Sequence, residues 1–88
     1  MAWTIEFSAT AIRQLKKSPA TRARRIDRFL HERLAVLDDP RTLGKALQGP
    51  LGSYWSYRVG DDRVICDLID RRLTVLVLKV GDRKDVYR

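Results

Sequence analysis

Arg58 and Arg63 are the first candidates for chemistry, because they flank the short turn-like segment Gly60-Asp61-Asp62. Strand-like sequence lies on both sides of that turn, so the two arginines are expected to lie close together across a hairpin. Two like charges directly opposite each other are unfavourable, and an anion between them would remove the conflict. The planar guanidinium of arginine binds phosphate through two parallel hydrogen bonds, so phosphate is the anion that this pair suits.

A third arginine and a tyrosine lie at the C-terminal end of the sequence. Arg83 comes just after Gly81, where the last predicted strand ends, and Tyr87 is the penultimate residue. A tail that folds back would bring both side chains toward the face that carries Arg58. Metal-independent RNA cleavage proceeds by attack of the ribose 2′-hydroxyl on the adjacent phosphorus, and preplaced arginines stabilise the charge that grows on the phosphate oxygens. A tyrosine ring can stack on a splayed base and hold it in place.

Other catalytic groups are scarce in the sequence. His31 is its only histidine, and it falls on a predicted helix on the far side of the sheet, where a structural or solvated role is expected. The cysteine, histidine and acidic residues do not have metal-ligand spacing. No glycine-rich loop of the phosphate-binding type is found, and Asp61-Asp62 are interpreted as turn residues. We therefore expect neither a metal nor a cofactor, and the sequence shows no evident general base.

The composition indicates a partner of opposite charge. The 88 residues include 18 Lys and Arg against 11 Asp and Glu, which gives a formal net charge of +7. A basic, arginine-rich domain of this size is typical of proteins that bind nucleic acid or an acidic protein, although a merely well-charged, soluble surface is the alternative. The hydrophobic content of 44% is too high for a disordered chain and is enough for one modest core.

Cysteine use and hydropathy indicate a single cytoplasmic domain that spans residues 1–88. Cys66, the one cysteine, cannot form an internal disulfide and lies in an apolar setting that predicts a buried thiol. No basic segment leads into an apolar run at the N-terminus, so no signal peptide is expected. The longest apolar run, Leu73–Val80, is interrupted and far too short to span a bilayer, so no membrane partner is expected.

Hydrophobic periodicity predicts a strand and a helix at the start of the chain. Trp3–Phe7 alternates apolar and polar residues, as a strand with one buried face does. Ser8 is placed to cap a first helix that runs from residue 9 to about residue 17. Ile12 and Leu15 are expected to face the core from this helix.

A second helix is predicted to start at Ser18-Pro19, with a capping hydroxyl and a proline at the first helical position. It runs to about Leu37 and ends at Asp38-Asp39-Pro40, because the residue before a proline disfavours helical geometry. Its inner stripe, with Phe29 at the edge, consists of Ala23, Ile26, Leu30, Leu34 and Leu37. Its outer face carries Arg24, Arg25, Arg28 and Glu32, of which the last two can pair.

Strands dominate the second half of the sequence, after a loop from residue 41 to residue 52. The predicted strands, which turn-like links join into antiparallel hairpins, are Tyr54–Val59, Arg63–Asp70 and Leu73–Val80. The order β-α-α-β-β-β predicts an α+β fold in which two N-terminal helices pack on one face of a mainly antiparallel twisted sheet. Tyr54, Ser56 and Arg58 share one side of their strand. The face away from the helices is left partly open, and function is expected there.

The sequence resembles the RelE/ParE superfamily of bacterial toxins from type II toxin–antitoxin systems over nearly its whole length. The most specific stretches are those around Arg58–Arg63 and Gly81–Tyr87. The opening strand, the two helices, the stop at Asp39-Pro40 and the segment Lys45–Gly49 match as well. The resemblance implies the RelE-like fold. For RelE-like members it also implies a ribosome-dependent endoribonuclease that cleaves mRNA in the A site and so inhibits translation.

The resemblance also assigns roles to individual residues. Arg63 and Arg83 match the phosphate-binding arginines of the family, Tyr87 matches its substrate-stacking tyrosine, and Arg58 falls where basic residues of the central strand lie. Docking on ribosomal RNA is expected to use outer basic residues, namely Lys16, Lys17, Arg24, Arg25 and Lys45. The expected partners are a cognate antitoxin, the ribosome and mRNA, with promoter DNA bound only through the antitoxin complex.

Some positions depart from the RelE pattern. RelE carries lysines on the central strand that help to activate the 2′-hydroxyl, whereas this sequence has Tyr54 and Ser56 there, or Trp55 and Tyr57 if one residue is gapped. Asp82 follows the glycine after which other members often have a histidine. ParE-like members share the fold but inhibit DNA gyrase and are not nucleases. A gyrase inhibitor and a non-catalytic basic binding module therefore stay open as alternatives.

Overall fold

A computed structural model describes residues 2–47 and 52–82 of the chain. Across these residues two α-helices, α1 (Ala9–Lys17) and α2 (Ala20–Arg28), accompany five strands. The strands are β1 (Thr4–Phe7), β2 (Lys45–Ala46), β3 (Trp55–Val59), β4 (Asp62–Ile69) and β5 (Thr74–Asp82). They form one sheet in the order β1-β5-β4-β3-β2, in which β1 is parallel to β5 and the other neighbours are antiparallel. The predicted α+β class, with the helices packed against a mainly antiparallel sheet, is confirmed.

The predicted element order misses one strand. Lys45–Ala46 lies within the segment interpreted as a loop, yet it pairs antiparallel with Ser56 and Trp55 of β3. A two-residue strand is too short to show an alternating pattern, so no sequence signal marks it. The same segment contains a 3₁₀ turn at Pro40–Leu43, whose first free amide, that of Arg41, donates to the Asp39 carboxylate at 3.1 Å.

α1 begins where the sequence places it but faces the core with a different residue. The Ser8 hydroxyl accepts a hydrogen bond from the Ala11 amide at 3.1 Å, as the cap prediction requires. Ala11 is fully buried and Leu15 packs against the core, whereas Ile12 is 43% exposed, so its predicted inward position is wrong. Gln14 explains the rotation, because its Oε1 atom accepts a hydrogen bond from the Val80 amide of β5 at 2.7 Å. Positions 11, 14 and 15 share one helix face, and position 12 lies about 100° away from position 11.

α2 does not use Ser18 as its cap. The Ser18 hydroxyl donates to the Gln14 carbonyl at 2.8 Å and its amide donates to Leu15, so Ser18 closes α1 instead. Pro19 stands at the N-cap of α2, with no side-chain capping bond, and the first helical residue is Ala20. The predicted capping hydroxyl is therefore wrong, because the connection between the helices is too short to separate the end of one from the start of the other.

The second helical segment continues past α2 as a π-helical turn at Phe29–Leu34. The wider turn is closed by the Ala35 amide, which donates to the Leu30 carbonyl at 2.8 Å. The turn ends there, short of the predicted Leu37, and its first residue, Phe29, is buried in the core. The stripe residues Ile26, Leu30 and Leu34 are fully buried, as predicted.

The core lies between the helices and one face of the sheet. The sheet residues that contribute to it are Tyr57, Val59, Val64, Cys66, Leu68, Val75, Val77 and Val80. Cys66 is fully buried, and burial raises the pKa of its thiol, which confirms the predicted inert cysteine. Burial likewise raises the pKa of Tyr57, whose hydroxyl donates to the Pro40 carbonyl at 2.9 Å.

The β3–β4 hairpin turn is one residue shorter than predicted. Gly60 has a positive φ of 62°, and it forms the turn with Asp61, whereas Asp62 belongs to β4 and pairs with Val59. Residues with positive φ are favoured in such two-residue hairpin turns, and glycine adopts that conformation without strain. No helix in the described part of the chain is long and apolar enough to cross a membrane.

Candidate nucleic-acid interface

Arg58 and Arg63 lie directly opposite each other on β3 and β4, which confirms the predicted pairing. Arg58 is exposed and Arg63 is half-buried. The Arg58 Nε atom donates to the Gly60 carbonyl at 3.4 Å, and the Arg63 Nη1 atom donates to the Asp62 carbonyl at 3.2 Å. A guanidinium has five N–H donors, so both arginines keep most of theirs for an anion. Two cationic side chains are thus placed on neighbouring strands at the same level of the sheet.

The face that carries these arginines points away from the helices. Ser56, Ile65 and Lys79 are paired across β3, β4 and β5, and Lys45 of β2 is paired with Ser56. Residues paired across neighbouring strands point to the same side of a sheet. They therefore form one transverse row, Lys45–Ser56–Ile65–Lys79, beside the row formed by Arg58, Arg63 and Gly81. We call these two rows the cationic face.

Lys79 lies on the cationic face, although it was not among the site residues predicted from the sequence. It interrupts the apolar run Leu73–Val80 and is half-buried on the cationic face, level with Ile65. A β-bulge between Ile65 and Cys66 sets this position, because Cys66 pairs with Val77 while Ile65 pairs with Lys79. Simple alternation along the strand would have put Lys79 on the same side as Val77. A lysine in an apolar strand was the available signal, but the bulge that directs it is not visible in the sequence.

The cationic face is partly open, as expected. Ile65 is only 1% exposed and Ser56 is 8% exposed, so the middle of the transverse row is covered. Arg58 at one side and Lys45 at the β2 edge are exposed. A ligand would therefore contact the charged ends of the rows and not a bare hydrophobic surface.

A buried ion pair holds the strand that presents Arg63. Asp62, immediately before Arg63, has a side chain that is 4% exposed and receives Arg22 of α2 through both oxygens. The distances are 2.7 Å from Nη2 to Oδ1 and 3.1 Å from Nε to Oδ2. The prediction that Asp62 is a turn residue is therefore wrong, because its carboxylate points into the helix side of the sheet. The two partners are 40 residues apart, so local sequence patterns gave no sign of the pair.

The C-terminal members of the predicted site, Arg83 and Tyr87, lie outside the described residues. Asp82, which precedes Arg83 in the sequence, ends β5 and pairs with Asp62. Arg63 in turn is paired with Gly81. The proximity of Arg83 and Tyr87 to the cationic face remains an expectation from the sequence.

The predicted docking residues do not form one cluster. Arg24 and Arg25 are exposed on α2 and, with Thr21 and Arg28, line a shallow cavity of about 250 Å³. Lys16 and Lys17 are exposed in the last turn of α1, whereas Lys45 belongs to the cationic face. Any docking through all of these residues would involve both sides of the molecule.

Other charged side chains form ion pairs away from the cationic face. His31 is exposed in the helical layer, with Nε2 at 3.3 Å from Asp27, and lies away from the cationic face as expected. Arg41 donates two hydrogen bonds to Asp70, at 3.1 and 2.7 Å, and these bonds lower the pKa of that carboxyl. They connect the Pro40–Leu43 turn to the turn between β4 and β5. Among the described residues no group of three His, Cys, Asp or Glu side chains could hold a metal ion.

The family model and the curated relative that match this chain both describe toxins. The family model described as ParE toxin of type II toxin–antitoxin system, parDE, matches residues 5–87. Toxin RelG of Mycobacterium tuberculosis (strain ATCC 25618 / H37Rv) is 33% identical over 88 residues, which cover 100% of this chain and 99% of RelG.

Solved structures share the fold. A chain of the toxin–antitoxin complex RelBE2 from Mycobacterium tuberculosis is 30% identical with a TM-score of 0.85, and the match covers 97% of this chain and 95% of that one. The isolated E. coli RelE toxin superposes with a TM-score of 0.72 over 98% of this chain and 92% of its own, at 22% identity. The E. coli match concerns the fold alone.

Proposed function

Because the chain belongs to the RelE/ParE superfamily of toxins from type II toxin–antitoxin systems, we propose that it is a ribosome-dependent endoribonuclease that cleaves mRNA in the ribosomal A site. The observation that carries the proposal is the cationic face, where Arg58 and Arg63 are paired across β3 and β4 with Lys79 in the adjacent row. Cleavage of this kind would stop translation in the cytoplasm.

The proposed reaction needs no metal. The ribose 2′-hydroxyl gives its proton to water and its oxygen bonds to the adjacent phosphorus. The bond from phosphorus to the 5′-oxygen breaks, and that oxygen takes up a proton from water. The products carry a 2′,3′-cyclic phosphate and a 5′-hydroxyl. Arg63 binds the phosphate and stabilises the charge that develops on its oxygens, with Arg83 in the same role and Arg58 beside them. Tyr87 stacks on the base and holds the nucleotide in position.

Lys79 supplies the positive charge that the central strand lacks. The positions where RelE has lysines are Tyr54 and Ser56 in this chain, or Trp55 and Tyr57 if one residue is gapped, and none is a lysine. Lys79 reaches the cationic face from β5, and Lys45 reaches it from β2. A cation next to the attacked phosphate favours the oxyanion that forms at the 2′-hydroxyl when its proton leaves. We assign that role to Lys79.

The partners follow from the same assignment. Relatives solved as toxin–antitoxin complexes support a cognate antitoxin as partner of this chain. Docking on ribosomal RNA would use the exposed basic side chains of Lys16, Lys17, Arg24, Arg25 and Lys45. Because such binding releases counterions from phosphate, the affinity for ribosomes should fall steeply as salt is raised.

Gyrase inhibition is the second candidate, because the matching family model is described as a ParE toxin. The two activities are separated by running the purified chain in a cell-free translation reaction and in a DNA gyrase supercoiling reaction. The proposal predicts cleaved ribosome-bound mRNA and normal supercoiling. Intact mRNA with blocked supercoiling would establish the ParE-like activity instead, and neither effect would leave a non-catalytic basic binding module.

A further inference from the structure

Arg22 of α2 contacts the β3–β4 hairpin from the helix side of the sheet. Its Nε atom donates a hydrogen bond to Oδ2 of Asp62 at 3.1 Å, and its Nη2 atom lies 2.7 Å from Oδ1 in an ion pair. Arg25, on the same face of α2, lies against the turn, where a Cβ atom on Gly60 would be only 3.0 Å from the Arg25 Nη1 atom. The helix therefore contacts the hairpin both at its turn and at the first residue of β4.

The Asp62 carboxylate is adjacent to a second acid. Asp62 of β4 is the cross-strand partner of Asp82 of β5. Residues paired in this way have Cα atoms about 4.5–5.5 Å apart and side chains on the same side of the sheet. Like charges in such positions repel each other, and a nearby cation offsets the repulsion. Arg22 supplies that cation, on the side of the sheet opposite the cationic face.

Each of the two acids directly precedes an arginine of the proposed site. Arg63 follows Asp62 in β4. Arg83 follows Asp82 in the sequence. Successive side chains of a strand point to opposite faces, so an Asp62 side chain held on the helix side places Arg63 on the cationic face. Arg22 thus acts on the backbone that immediately precedes a proposed phosphate-binding arginine.

Stability alone does not account for the buried pair. The Asp62 side chain is 4% exposed and that of Arg22 is 34% exposed. Taking a carboxylate out of water is unfavourable, and apolar residues of similar volume often stabilise a protein at least as well as a buried ion pair does. An arginine–carboxylate pair does specify geometry, because the two planar groups fit each other in few orientations. The pair therefore suits a role in orienting the hairpin.

We propose that Arg22 is a positioning residue for the proposed RNA cleavage: by holding Asp62, it fixes the backbone from which Arg63 binds phosphate. Arg22 acts through Asp62 and does not contact RNA. A shift of about 1 Å in a catalytic group can lower a rate about 100-fold, so a loosened hairpin lowers turnover while binding to the ribosome is kept. This inference rests on the proposed endoribonuclease function.

The test measures kcat and KM separately for mRNA cleavage on ribosomes. Arg22→Ala should lower kcat and kcat/KM by the same factor, roughly 10-fold to 100-fold, because Arg63 is then misplaced in the transition state. Asp62→Asn keeps the charge of Arg22 but weakens the pairing, and it should lower kcat in the same way. Arg22→Lys keeps a cation near Asp62 and should retain more of the rate than Arg22→Ala does.

Two comparisons separate positioning from a general loss of stability. Val75→Ala truncates a fully buried side chain near the start of β5, far from Gly81, and so destabilises the core without changing the Arg22 contact. It should cleave at a rate close to that of the wild type at a temperature where all variants are folded. Arg22→Ala combined with Asp62→Asn should cleave no more slowly than the slower single variant, because both changes break the same contact.

An unchanged kcat in Arg22→Ala would overturn the proposal. A rise in KM alone would also overturn it, by making Arg22 a docking residue for RNA. Equal slowing in Val75→Ala, or additive losses in the double variant, would show that the rate does not depend on the Arg22–Asp62 contact.

A second measurement does not require cleavage. Relaxation of the ¹⁵N-labelled backbone amides of Arg63 and Gly81 should give lower order parameters in Arg22→Ala than in the wild type or Val75→Ala. A wild-type protein that cleaves no mRNA would reject the endoribonuclease function. Unchanged order parameters in Arg22→Ala would instead show that Arg22 does not hold the hairpin, which overturns the proposal itself.

Discussion

Lys79 extends the cationic face onto β5. Counted from Val77, which points into the core, regular alternation along β5 would point Lys79 into the core as well. The β-bulge opposite Ile65 and Cys66 turns it to the side of Arg63 instead. A single extra residue in the strand thus places a cation where the proposed reaction needs one.

The Lys79 assignment predicts a loss of turnover. Lys79→Ala should reduce the rate of mRNA cleavage on the order of 10-fold to 100-fold, because a charge that stabilises the transition state is removed. Lys79→Arg keeps the charge and should retain most of the rate. The measurement is a single-turnover time course on ribosome-bound mRNA, with KM followed separately.

Arg72→Ala is the control for this experiment, since Arg72 is exposed in the turn between β4 and β5. A Lys79→Ala protein that cleaves as fast as Arg72→Ala would remove Lys79 from the reaction. A rise in KM with an unchanged rate constant would make Lys79 a binding residue only.

At the scale of elements, the contact between α2 and the start of β4 fixes the hairpin that carries both arginines. Arg22 donates one hydrogen bond to Oδ2 of Asp62 and lies 2.7 Å from its Oδ1 in an ion pair, and the carboxylate is almost fully buried. These contacts hold the backbone of Asp62, whose carbonyl also accepts from Arg63. The backbone next to Arg63 is therefore held by a helix on the opposite side of the sheet.

Removing Arg22 should destabilise the protein by about 1–3 kcal/mol, because the Asp62 carboxylate would stay buried without its partner. Urea unfolding of Arg22→Ala measures this loss. Arg28→Ala breaks an exposed ion pair with Glu32 and should cost less than about 1 kcal/mol. Arg22→Ala combined with Asp62→Asn should recover part of the stability, since the buried charge is then gone. Equal losses of unfolding free energy in Arg22→Ala and Arg28→Ala would show that the Arg22–Asp62 pair stabilises the protein no more than an exposed ion pair does.

Element types were predictable because long periodic segments dominate the chain. The alternation of Trp3–Phe7, the stripe through Ile26, Leu30 and Leu34, and the apolar strands each define an element without knowledge of the rest. The details that failed depend on contacts between distant residues. The Gln14–Val80 bond orients α1 so that Ala11 is buried in place of Ile12, and a π-helical turn ends the second helical segment before Leu37.

At the scale of the whole molecule, the two layers separate two kinds of surface. The sheet presents the cationic face on the side away from the helices, and the helical layer presents a groove that is lined by Arg25, Arg28, Arg33 and Arg58. Arg58 lines the groove and is also the cross-strand partner of Arg63. Basic side chains are thus present on both surfaces of the molecule.

The candidate site was predictable only in part. The proximity of Arg58 and Arg63 was predictable because both flank one short turn in the sequence, although that turn is one residue shorter than predicted. Lys79 and the Arg22–Asp62 pair were missed, because a bulge and a contact across 40 residues leave no local pattern. Arg83 and Tyr87 lie outside the described residues, so their places in the site rest on the sequence and the family resemblance.

Cleavage of ribosome-bound mRNA by the cationic face can be tested directly. The measurement maps the ends of mRNA that is held in programmed ribosomes with a defined A-site codon. Wild-type protein should produce a cut in the A-site codon that leaves a 2′,3′-cyclic phosphate and a 5′-hydroxyl. Arg63→Ala should cut more slowly by on the order of 100-fold or more, as loss of a transition-state donor predicts. An intact mRNA with wild-type protein, or equally fast cutting by Arg63→Ala, would contradict the account.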